Sequence, residues 1–190
     1  MQRPLDVVAT DADPVTLSYW INSSGTVLRI GGPWDAWLRD DGELPDHCRQ
    51  AKVIGNSLFS FVENEGVRHV YRTVHTRVLD TGRTIEFPFR CDSPWLRREM
   101  KMRIARDGNA LRYDSTIIGV TRRQRPLPQP TPAAPDLIAM CSFCKAYRFP
   151  VESPHWKEIE SLFLESHLPT HFSITHGMCE RCYKLWSVES

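Results

Sequence analysis

Two Cys-x-x-Cys pairs close the chain: Cys141 and Cys144 in CSFCKAYR, then Cys179 and Cys182 in HGMCERCY. Only Cys48 and Cys91 of the six cysteines lie elsewhere. Two residues between thiols let a tight turn aim both sulfurs at one point. Two such turns complete a four-sulfur cage, the preferred surrounding of structural Zn2+. A rubredoxin-type iron site has the same donors, because soft sulfur suits both metals. A reactive dithiol is a further reading of Cys-x-x-Cys, but it leaves the second pair unexplained. Four protein ligands close a zinc sphere against water and substrate, which points to a structural rather than a catalytic site.

The 34 residues between Cys144 and Cys179 exceed an ordinary ribbon spacing, so a further element must bring the pairs together. The segment SPHWKEIESLFLESH predicts a helix for this role. Ser153 suits the N-cap and Pro154 the first helical position, with Trp156, Ile159, Leu162 and Phe163 forming an apolar stripe. A tail of 55 residues has little core of its own, and metal binding would supply folding free energy on the order of 10 kcal/mol. His176, three residues before the second pair, has two readings: it supports the cysteine turn by hydrogen bonding, or it replaces one cysteine as ligand. His155, His167 and His171 read as surface residues.

No stretch approaches the roughly 20 apolar residues that cross a bilayer, and MQRPLDVVATDADP lacks the apolar core of a secretory signal. The expectation is a cytoplasmic protein, and in a reducing compartment paired cysteines more often hold metal than form disulfides. A net charge of +1 gives no general attraction to nucleic acid or membrane.

Between Pro126 and Pro135, PLPQPTPAAP excludes helix and central strand and predicts an extended spacer. The expected division is therefore a first domain at residues 1–124, a proline-rich linker at 125–135, and a four-cysteine zinc-binding module at 136–190. In the first part, LSYWINSSGTVLRIGG reads as a hairpin about Asn22–Gly25, and PWDAWLRD and IGNSLFSFV as short helices. A longer helix follows in NEGVRHVYRTVHTRVLDTG, where Val67, Val70, Val74 and Val78, with Tyr71, form one stripe and Gly82 ends it. Three strands come next: RTIEFPFRCD, WLRREMKMRIAR and ALRYDSTIIGVT, the last two joined by a turn at RDGN.

Two strands, short helices, one long helix and three strands predict an α+β fold, a five-stranded antiparallel sheet with helices on one face. This order, with SSGTVLRI and VIGNSLFSFV before the long helix, resembles a PAS sensory domain over residues 15–122. The tail resembles a segment at the end of various bacterial PAS proteins and response regulators. The resemblance rests on CSFCKAYR, Trp156 and HGMCERC, and the longer stretch LESHLPTHFSIT departs from it. Together these resemblances imply bacterial signalling, a PAS pocket for an unidentified small-molecule ligand, a homodimer and a protein partner downstream.

The motif around GNSLFSF lacks the cysteine of flavin photoadduct sensors, and Cys48 lies before it in DHCRQ. Haem sensors of the family place a histidine on the long helix, where His69 and His75 are candidates; six residues apart, at most one can enter a pocket. Cys91 reads as a small buried strand residue, and Trp20, Trp34, Trp37 and Trp95 as core or interface. Arg97, Arg98, Lys101, Arg103, Arg106, Arg122, Arg123 and Arg125 make the end of the domain basic, read as a solvated or salt-bridged sheet face. A nucleic-acid surface is the alternative, opposed by Glu152, Glu158, Glu160 and Glu165 in the tail. No phosphate loop, kinase motif set or Ser-His-Asp order is present, so the expected role is signalling rather than catalysis. A DNA-binding regulator, an iron or thiol redox sensor and a haem sensor stay open as rivals.

Overall fold

The structure is a computed structural model that describes residues 15–38, 49–164, 169 and 171–188. Cys48 and His167 lie outside the described residues, as do the side chains of Trp37, Leu162 and Phe163.

Strands β1 (Thr16–Ile21) and β2 (Val27–Gly31) form the first hairpin. Its turn is organised by Asn22, whose Oδ1 accepts from the Ser24 and Thr26 amides at 3.1 and 2.9 Å. Gly25 has φ 86°, and a Cβ there would meet the Phe59 ring at 2.6 Å, so both conformation and space demand glycine. Short helices α1 (Trp34–Leu38) and α2 (Gln50–Val53) and a 3-10 turn at Leu58–Phe61 precede α3 (Glu65–Thr81). Asn64 caps α3 by accepting from the Val67 amide at 3.0 Å, and Gly82 ends it in the left-handed conformation. Strands β3 (Ile85–Arg90), β4 (Leu96–Asp107) and β5 (Ala110–Arg122) follow.

These five strands pair antiparallel in the order β2-β1-β5-β4-β3. The β1–β2 hairpin thus docks beside the last strand, with the helices inserted between: a PAS-like sheet. Its inner face aligns Tyr19 with Tyr113, Ile104 with Tyr113, and Phe87 with Met102. Over it lie Val67, Val74, His75 and Val78 of α3, all buried. The long helix and the three alternating strands stand where their apolar periodicity predicts.

On the outer face, Trp20 is covered by polar neighbours. Its Nε1 donates to Asp107 at 2.7 Å and the Arg29 guanidinium lies 3.5 Å above its ring. Trp34 packs edge-on against Tyr19, and Trp95 is partly exposed with Arg122 above it at 5.6 Å. Most of the basic run is paired: Lys101 with Glu86 at 2.5 Å, Arg97 with Glu99 at 2.6 Å, and Arg103 with Asp114 at 3.6 Å. Of the same run, read as a solvated or salt-bridged face, Arg98 and Arg123 are buried, and Arg123 is ion-paired with Asp92.

Residues 124–135 contain neither helix nor strand, but they lie against both layers. The Leu127 amide donates to Pro94 O at 2.9 Å and the Thr131 amide to Phe172 O at 2.7 Å. Beyond them a second sheet forms from β6 (Asp136–Cys141), β7 (Tyr147–Arg148) and β8 (Phe172–Gly177), in the order β7-β6-β8 with β6 and β8 parallel. Ile138, Tyr147, Ile159 and Phe172 fill its core. The helix expected from Ser153 is replaced by a bridge and a 3-10 turn. Lys157 exchanges both backbone hydrogen bonds with Tyr147, at 2.7 and 2.8 Å, and the 3-10 turn runs Ile159–Leu164. A strand-like pairing at residue 157 excludes a helical turn there. The chain ends in α4 (Glu180–Val188). Among the described residues, no helix is long and apolar enough to cross a membrane.

Candidate metal centre

Parallel strands β6 and β8 end side by side, with Cys141 opposite Gly177. That register sets the first cysteine turn directly against the start of the second. After Cys141 the chain reverses: the Lys145 amide donates to Cys141 O at 3.1 Å, and the Cys141 amide to Ala146 O at 2.7 Å. Lys145 takes a positive φ of 61° to close this turn. The Ser142 amide donates to Gly177 O at 2.9 Å, which clamps the two turns together. Cys179 then precedes α4, and Cys182 falls in its first turn.

The result is a single cluster. The sulfurs of Cys141, Cys144, Cys179 and Cys182 all lie within 4.8 Å of one another, with Cys144 and Cys179 at 3.6 Å. All four are free thiols in this arrangement. A tetrahedral four-sulfur shell with Zn–S bonds of about 2.3 Å has sulfur–sulfur edges of roughly 3.8 Å, so the cluster has the dimensions of such a shell. Amides face the sulfurs as well: the Cys179 amide lies 3.4 Å from Cys141 Sγ and the Cys182 amide 3.5 Å from Cys179 Sγ. Sulfurs this close cannot ionise independently. Hydrogen bonds from Cys141, Cys179 and Cys182 push the Cys144 thiol down, and donation to Cys141, Cys144 and Cys179 pushes Cys182 up. The donor set, its spacing and its amide contacts fit one soft cation.

His176 stands outside this cluster. Its Nδ1 faces Glu63 Oε2 at 3.4 Å, and its carbonyl accepts from Asn64 Nδ2 at 2.8 Å. The residue thus ties β8 to the cap of α3.

The cysteine turns deliver two aromatic residues that the sequence did not single out. Phe143, between Cys141 and Cys144, and Trp186, one helical turn beyond Cys182, are both buried. They enter the core of the five-stranded sheet. The Trp186 ring lies 4.1 Å from that of Phe87, 5.1 Å from Phe143 and 6.2 Å from Tyr71, centroid to centroid. The backbone joins in, with the Arg90 amide donating to Phe143 O at 2.7 Å.

A buried ionic group spans the same contact. Arg90 pairs with Asp92, and its Nη2 lies 2.6 Å from Glu160 Oε1. Arg123 Nη2 reaches Asp92 at 2.5 Å and Glu160 at 3.0 Å. Burial works against the charge on Glu160, but Arg90 and Arg123 outweigh it and hold its carboxyl at about 2.

The two haem candidates separate. His69 is exposed on α3, whereas His75 faces the interior and hydrogen-bonds Tyr113 OH through Nε2. Desolvation lowers His75 to about 4, so the ring is neutral at physiological pH. Tyr71 lies between this pair and Trp186, 6.3 Å from His75 and 6.4 Å from Tyr113. Cys91 is half-buried after β3.

No family model matches the chain, and no curated protein matches it. Among solved structures, the PAS domain of the quorum-sensing receptor RpfR from Cronobacter turicensis is similar, in complexes with C12:0 and with BDSF. Identity is 17% and the TM-score 0.38, over 58% of this chain and 99% of that one.

Proposed function

We propose that the chain is a bacterial signalling protein in which a PAS-like sensory fold is joined to a structural four-cysteine zinc site. Cys141, Cys144, Cys179 and Cys182 are the ligands, and the ion is a staple, not a reaction centre: four protein sulfurs leave no open position for substrate. One observation carries this reading: four thiols within 4.8 Å of one another, on turns whose aromatic residues sit in the sensory core. Occupancy of the metal site and the packing of the sensory sheet are therefore mechanically linked. A homodimer with a separate protein partner receives the signal, and the paired charges of the basic strand argue against a nucleic-acid role.

Elemental analysis and an absorption spectrum of the purified chain test the proposal together. One zinc per chain in colourless protein supports it. One iron with visible absorption places a redox centre in the same cage, a Soret band lost on replacing His75 makes the chain a haem sensor, and absence of metal overturns the ligand assignment.

A further inference from the structure

The interior of the five-stranded sheet, between the strands and α3, holds a side chain that arrives from the far end of the sequence. Trp186 is 8% exposed and contacts Phe87, Phe143 and Tyr71. The two aromatic residues of the cysteine turns are anchored differently. Phe143 is fixed through its backbone, since its carbonyl accepts from the Arg90 amide of β3. Trp186 sits near the end of α4, a helix of nine residues too short to persist alone. At the start of that helix, among the described residues, the sulfur cluster and an exposed Arg181–Glu158 pair at 3.7 Å tie it to the rest of the chain. An exposed pair of this kind contributes little. On its outer side α4 presents Tyr183 and Leu185 to solvent.

We infer that Trp186 is a built-in occupant of an aromatic pocket, held there by the ion at the four cysteines, and that loss of the ion withdraws α4 and opens the pocket to a flat apolar ligand. The ion in this inference rests on the function proposed above; the pocket beneath Trp186 does not. The vacated space has the size of an indole, with the rings of Tyr71, Phe87 and Phe143 as walls. Apolar cavities of this kind stay dry and take up small aromatic molecules. Tyr71 also contacts the His75–Tyr113 pair, so an incoming ligand would press directly on the centre of the sheet. Cysteine-bound ion and pocket ligand then exclude one another, and by linkage each weakens the other's binding.

The test uses the full chain and 5-fluoroindole, followed by 19F NMR, with metal content measured in every sample. Metal-loaded Trp186→Ala is expected to bind the probe saturably at one site and to be stabilised by it. The metal-loaded parent protein is expected not to bind, and the same protein stripped by a chelator is expected to bind. If Trp186→Ala does not fold, Trp186→Leu with fluorobenzene replaces it. A loaded variant that takes up no probe overturns the pocket. A loaded parent protein that binds as well as the variant shows that Trp186 blocks nothing and also overturns it. A stripped parent protein that stays closed overturns the control by the ion alone, and a parent protein purified without metal removes that control together with the zinc reading.

Discussion

Trp186 and Phe87 stand with ring centroids 4.1 Å apart, one on the helix that carries Cys182, the other on the third strand of the five-stranded sheet. Ninety-nine residues separate them in sequence. Their contact brings a side chain of the cysteine-rich end into the core of the five-stranded sheet.

Removal of the metal is accordingly expected to destabilise the whole chain. Binding to the folded state alone adds RT ln(1 + [L]/Kd), about 4 kcal/mol at a thousandfold excess over Kd. Urea unfolding followed by far-UV circular dichroism is expected to give one transition that moves to lower urea on chelation. Two transitions, with only the smaller one sensitive to the chelator, contradict the shared core.

Trp186→Ala removes a large side chain from that core and is expected to cost about 3–5 kcal/mol. Tyr183→Ala, on the exposed side of the same helix, is expected to change stability by no more than about 0.5 kcal/mol. Chemical denaturation of both variants checks the difference, and equal effects would mean that the helix does not pack as described.

Much of this arrangement was legible beforehand, and the losses have a common cause. The alternation of Met100, Met102 and Ile104 and the valine stripe of α3 are local periodicities, and they sit where periodicity puts them. The cysteine pairs were legible for a similar reason, since two-residue spacing is itself a geometry. Trp186, Phe143 and Glu160 were not, because their partners in and beside the five-stranded sheet lie 37 to 115 residues away and a single aromatic or carboxylate has no period. Arg123 reads as part of a solvated or salt-bridged face, but nothing local names Glu160 as its partner. The segment from Ser153 has helical chemistry, yet Lys157 pairs with Tyr147; tertiary hydrogen bonding overrode propensity.

Glu160→Gln takes one carboxylate away from Arg90 and Arg123, both buried, and is expected to destabilise by roughly 3 kcal/mol. The sign of the acid response follows from the same carboxyl. Its folded pKa of about 2 lies below the unfolded value of 4.5, so its contribution is full above pH 4.5 and disappears as pH falls toward 2. Stability of the variant measured over that window is expected to fall less steeply than that of the parent.

His75 acts in a separate window. Burial lowers it from 6.5 to about 4, so the unfolded chain takes up a proton that the folded chain refuses. Stability is complete above pH 6.5 and declines toward pH 4, by on the order of 3 kcal/mol. The slope between these values is expected to flatten in His75→Asn, read as the difference between two denaturation series. An unchanged slope would mean that another group is responsible.

Cobalt uptake tests the central claim most directly. Co2+ added to the full chain after treatment with a chelator is predicted to saturate at one ion per chain, with the intense visible bands of tetrahedral thiolate coordination, and to fail to bind in Cys144→Ser and Cys182→Ser alike. Octahedral cobalt spectra, binding that survives both substitutions, or no uptake at all would contradict a closed four-sulfur site.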